Sequence, residues 1–157
     1  MNKFYGIVID TGAAYKSTAG YGQYLALSKL QDLTIDNSQN NQTFKFGVGT
    51  EASIGTVQIK TPIGLLTFHV VNADIPFLLC LHDMNDKEVY YNNLSNKLIC
   101  KDTEWPVIRK FGHVFLAWGQ AITAFYTSLF LNEDVIQGQL TEAELRRLHR
   151  RFGHPSV

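Results

Sequence analysis

One short run in this sequence has the residue types and order to do chemistry: Asp10-Thr11-Gly12-Ala13, directly after the apolar stretch Phe4-Tyr5-Gly6-Ile7-Val8-Ile9. A strand that ends at an Asp fixes the backbone of the residue carrying the carboxylate. Gly12 permits a tight turn after it, and the Thr11 hydroxyl can hydrogen-bond within the turn or across to a partner chain. The chemistry would be acid–base hydrolysis by two facing carboxylates, which share one proton because like charges about 3 Å apart cannot both ionise. By composition alone the tripeptide arises in about 3 of 100 chains of this length, so its surroundings must decide what it means.

Asp-Thr-Gly occurs once and Asp-Ser-Gly not at all. A second carboxylate must then come from a second, identical chain. This predicts a two-fold symmetric homodimer with its site on the axis.

The elements that must position Asp10 read as mostly β up to Cys100, which predicts a small barrel-like domain. Tyr24, Leu25, Leu27, Leu30 and Leu33 recur at helical spacing, predicting a short helix within Tyr21 to Leu33. Asp36 to Gln42 is polar and turn-rich, hence a surface loop. Strands are expected over Phe44–Val48, Ser53–Lys60 and Leu65–Asn72, with Thr61-Pro62-Ile63-Gly64 as a turn. Phe46 to Gly55 holds three glycines in ten residues, the composition of a mobile hairpin that can close over an extended peptide. Ile75 to Leu81 is a continuous apolar run that fits a strand buried on both faces. His82 to Glu88 fits one helical turn or a loop, and Val89–Asn92 with Lys97–Lys101 a hairpin. Near the end, Thr141 and Glu144 form a capping-box pattern opening a helix that Gly153 and Pro155 stop.

Length and composition set outer limits. The 157 residues suffice for one domain plus an extension. With 45% hydrophobic and 18% charged residues the chain can build a core, and a formal net charge of zero gives the whole chain no strong preference for nucleic acid. All five arginines lie after residue 108, four of them in Arg146-Arg147-Leu148-His149-Arg150-Arg151, so nucleic-acid binding is expected only through this basic tail. Cys80 and Cys100 sit in apolar runs and read as free thiols of a reducing compartment. Val114 to Leu131 carries no charge over eighteen residues, but Gly119, Gln120, Thr123, Thr127 and Ser128 make it too polar to expect a membrane span. No secretory signal is read at the start of the chain.

Taken together, the strand-Asp10-Thr11-Gly12-Ala13 unit, the glycine-rich flap, the hairpin and the Leu78-Leu79-Cys80-Leu81 run resemble a retropepsin. More narrowly, Thr18 to Tyr24, Phe46-Gly47-Val48-Gly49 and Val89 to Leu94 resemble the protease region of fungal LTR-retrotransposon Pol polyproteins. The resemblance covers about residues 4 to 101. It implies a mainly β, closed retropepsin-like barrel, one acid-protease lobe per chain, with a short helix and a helical C-terminal extension. It also implies an aspartic endopeptidase that cleaves its own polyprotein and needs no cofactor, in the cytoplasm (in a virus-like particle) or the nucleus. Asp10, Thr11 and Gly12 would be catalytic. Ala13, Gly47, Val48, Gly49, Ile54 and Gly55 would contact the polypeptide substrate.

The division implied is a protease domain over 1–101, a connecting segment of unknown role over 102–140, and a truncated segment over 141–157. In that last segment Leu148 to Pro155 resembles the first half of the His-His-Cys-Cys zinc unit preceding an integrase core. His149 and His154 would be zinc ligands only in a longer chain that supplied the Cys-x-x-Cys. His69, His82 and His113 lack ligand spacing and read as structural. Two positions depart from the family pattern: Ala14 stands where a small hydroxyl residue is usual, and Cys80 where Gly is usual, so a side chain there must find space. Two other readings are a catalytically inactive dimerisation module of the same fold and a nucleic-acid-binding fragment.

Overall fold

The computed structural model describes residues 3–13, 15–38, 43–45 and 50–119, the last two stretches from backbone alone at 43–45, 50 and 51. Ala14, residues 39–42 and 46–49 and everything from 120 onward lie outside the described residues, and with them the expected flap residues Gly47 to Gly49, the expected tail helix, His149 and His154.

The apolar start of the chain forms β1 (Ile7–Asp10), and the buried run forms β6 (Phe77–Cys80), every residue of which is buried. These two strands pair in parallel, Ile7 with Phe77 through Asp10 with Cys80. Burial on both faces is the usual state of parallel strands and explains their unbroken hydrophobicity. On its other side β6 meets β2 (Thr18–Gly20), which runs antiparallel to it and parallel to β5 (Gly64–Val71). β5 in turn forms a long hairpin with β4 (Thr50–Thr61), and the far end of β4 pairs with β3 (Thr43–Lys45).

Past residue 101, the segment with no role legible in its sequence supplies three strands. β9 (Thr103–Pro106) pairs with β8 (Lys97–Cys100), which pairs with β7 (Val89–Asn92), giving a separate three-stranded sheet. β10 (Ile108–Lys110) and β11 (His113–Leu116) form a hairpin that joins the main sheet through pairing of β11 with β1. Phe111 and Gly112 both have positive φ, 54° and 77°, as a two-residue turn matched to strand twist requires.

The main sheet therefore has eight strands in the order β10-β11-β1-β6-β2-β5-β4-β3. The expected closed barrel is not found: among the described residues the sheet ends at β10 and β3, which do not pair with each other. Closure demands that every edge strand find a partner. Here the strands of 89–106, joined by short turns, pair among themselves instead.

Two short helices pack on this frame. α1 (Tyr21–Ser28) buries Ala26 and Leu27, while Leu25 on the helix and Leu30 in the turn after it stay 42% and 43% exposed, so the apolar spacing overstated both the length and the buried face. α2 (Leu81–Asp86) follows β6 without a gap and buries Met84. The core centres on Phe77, whose ring meets Phe4 at 5.4 Å and Phe68 at 5.0 Å, both edge to face. Among the described residues no helix is long and apolar enough to cross a membrane, and Val114 to Leu116 lies in β11.

Candidate active site

Asp10 is the last residue of β1, and its position follows from where the chain goes next. β1 and β2 flank β6 on opposite sides, so the loop from Thr11 to Ser17 must cross the carboxyl end of β6. Asp10 is 5% exposed. Its Oδ1 accepts a hydrogen bond from the Gly12 N–H at 3.2 Å, and its carbonyl accepts from the Ala13 N–H at 3.1 Å. These are the side-chain and main-chain bonds of a tight Asx-type turn. Thr11 and Gly12 are exposed and Ala13 is half-buried. The turn thus leaves its outer face open while its carboxylate is held from within.

The junction of β6 and α2 holds this loop from below. The Leu81 N–H donates to the Ala13 carbonyl at 3.1 Å, and the Cys80 N–H donates to Ser17 Oγ at 3.0 Å. Ser17 Oγ in turn donates to Asp83 Oδ2 at 2.5 Å. The first N–H groups of a helix have no intrahelical acceptors, and here the loop carrying Asp10 supplies one of them.

Cys80 is fully buried, and the space its side chain needs is found at the start of α2. Its Sγ accepts the Asp83 N–H at 3.4 Å and caps the helix. Burial pushes the Cys80 thiol above its ordinary pKa, opposed by the Ser17 hydroxyl. It is a packing and capping group rather than a nucleophile.

On the flap side, β4 bulges between Ser53 and Gly55, making Ile54 the extra residue. Ile54 is 37% exposed. Gly55 has no room for a side chain: a Cβ there would come within 2.5 Å of Ile35 Cγ2 and 2.7 Å of the Asp36 carbonyl oxygen. That approach is fixed by two reciprocal bonds between Asp36 and Thr56, both 2.8 Å. Beyond the bulge, β4 leaves β5 and continues in a hairpin with β3. Gly47, Val48 and Gly49 lie outside the described residues.

His69 links the flap base to the Asp10 loop. Its main-chain N–H donates to the Ser17 carbonyl at 2.8 Å, and its ring Nδ1 lies 3.5 Å from Ser53 Oγ, which donates to the Gly55 carbonyl. Burial lowers the imidazole pKa below 6.5, Lys16 lowers it further, and Asp83 opposes both. Sequence reading did not single out Ser17, Ser53 or Asp83 and took His69 as structural. None stands in a motif, and only the crossing of the loop over β6 brings Ser17 and Asp83 together.

His82, Asp83 and Asp86 each place one ligand atom within 4.8 Å of the others. Asp83 Oδ2 is engaged by Ser17, and His82 pairs with Asp86 across one exposed helical turn at 3.4 Å. The geometry is that of a solvated helix face.

No protein-family model and no curated protein matches this chain. Among solved structures, it is similar to the retroviral protease-like domain of Ddi1 from Leishmania major. That likeness has 15% identity and a TM-score of 0.48, over 66% of this chain and 83% of that one.

Proposed function

We propose that this chain is an aspartic endopeptidase of the retropepsin type, acting as a homodimer with one Asp10 from each copy. The observation that carries the reading is Asp10 itself: a buried carboxylate at the carboxyl end of a parallel strand, held by the N–H of Gly12, beneath a turn whose Thr11 and Gly12 face outward.

The two Asp10 carboxylates hold one water and one proton between them. The ionised partner takes a proton from the water as its oxygen attacks the peptide carbonyl, and the protonated partner donates to the carbonyl oxygen. The resulting gem-diol collapses with cleavage of the C–N bond as the nitrogen is protonated. Thr11 and Gly12 shape and cross-link the two turns. Ile54 and residues Gly47 to Gly49 bond to an extended substrate as an added strand does, and Ala13 and Gly55, whose main-chain groups bond within the chain, support that contact. The resemblance to Pol protease regions supports the parent polyprotein as substrate, with the cytoplasm (in a virus-like particle) or the nucleus as the setting. Cys80 gives no support to an inactive module, since its side chain is accommodated as a helix cap.

The test is cleavage of a mixed peptide library at pH 4 to 6, with and without pepstatin, beside Asp10→Asn. Cleavage lost with both inhibitor and mutant is expected. A folded, dimeric wild-type protein that cleaves nothing would turn the reading to an inactive dimerisation module.

A further inference from the structure

We infer that Ser17 and Asp83 form a clasp that sets the orientation of Asp10, which makes them positioning residues of the site; the catalytic part of this inference rests on the function proposed above. Ser17 is 1% exposed although it lies in a loop between two short strands. Both hydrogen-bonding capacities of its hydroxyl go to the same junction: it accepts from the Cys80 N–H and donates to Asp83. Its carbonyl is taken by the His69 N–H. Asp83 is fixed in turn, its own N–H given to Cys80 Sγ.

The loop from Asp10 to Ser17 is therefore tied to two successive N–H groups, Leu81 near its start through Ala13 and Cys80 at its end through Ser17. Asp10 and Cys80 are themselves register partners, so the ties close around the catalytic strand end. A carboxylate pair that must share one proton tolerates little displacement, and about 1 Å of misplacement costs on the order of 100-fold in rate. Removing the Ser17 hydroxyl leaves a buried N–H and a carboxylate without the partner they had. The loop then relaxes where Asp10 is aimed.

The experiment uses the full chain with Ser17→Ala, Ser17→Thr and Asp83→Asn. It reads kcat and KM on a peptide substrate, together with amide hydrogen exchange at Gly12 and Leu81. Ser17→Ala is expected to lower kcat roughly 10- to 100-fold with KM within about twofold, because orientation and not substrate binding is lost. Ser17→Thr, which keeps the hydroxyl, restores most of the rate. Asp83→Asn keeps a neutral acceptor and falls between them; it also serves if Ser17→Ala does not fold. A folded Ser17→Ala dimer with wild-type kcat, or a loss that Ser17→Thr does not repair, would overturn the clasp. Exchange separates this inference from the proposed function. If the wild type cleaves nothing, faster exchange at Gly12 and Leu81 in Ser17→Ala still supports the clasp, and unchanged exchange refutes it.

Discussion

The Asp10 junction and the sheet of β7, β8 and β9 are held together by opposite means. At the junction, the polar contacts join residues far apart in sequence: Ser17 with Asp83 across 66 positions and Cys80 with Ser17 across 63. In the three-stranded sheet the contacts are local. Tyr91 bonds Asn96 five residues on, Asn92 caps its own turn through the Leu94 N–H, and Lys97 pairs with Glu104 seven residues on. The first set is buried or half-buried and joins strands and helix that meet only through the sheet. The second is largely exposed and is made by turns that the local sequence specifies. Asp10 thus sits where the polar contacts depend on long-range assembly.

Perturbations of the two regions should therefore differ in kind. The largest effect is expected from Asp10→Asn, which should abolish cleavage while sedimentation still finds a dimer; substantial residual proteolysis would break the assignment of chemistry to this junction. Next, Phe77→Ala removes the ring on which Phe4 and Phe68 both pack. Such a core truncation costs about 3–5 kcal/mol, and urea unfolding should register it as loss of the whole domain, junction included. A loss below ~1 kcal/mol would mean that the junction does not depend on this core.

A smaller, pH-dependent effect belongs to His69. Its folded-state pKa lies below the ordinary 6.5, so as pH falls the unfolded chain takes the proton first. The stability His69 confers is complete above that value and is lost as pH falls from it through the depressed folded-state value. Urea midpoints at pH 7.5 and 5 should show that His69→Gln flattens this decline. An identical decline in the variant would assign it to other groups.

The smallest effect is expected in the local sheet. Lys97→Met breaks an exposed pair with Glu104, worth about 0.2–1 kcal/mol and screened by salt. A cost of several kcal/mol would erase the contrast between the regions.

Much of the domain was legible where period and turn agree over a few residues. The hairpin of β4 and β5, that of β7 and β8, the buried β6 and the short α1 all lie close to where hydrophobic spacing and turn residues place them. β2 escaped because Thr18-Ala19-Gly20 is too short to show any period. The helix face was overstated at Leu25, which stays exposed on α1, and at Leu30, which lies in the turn beyond its end. Among the described residues no closed barrel is found: the strands of 89–106 pair among themselves, and no pattern in one strand reveals which partner it will take.

By itself the sequence determined which groups stand together along the chain: one Asp after a strand and a glycine two residues on to donate its N–H. Tertiary structure decided how that Asp is held. The parallel pairing of β1 with β6 across about seventy residues, the crossing of the loop above it, and the meeting of Ser17, Cys80 and Asp83 are long-range events. They follow from burying two apolar strands side by side, which sequence spacing encodes as a need but not as a partner.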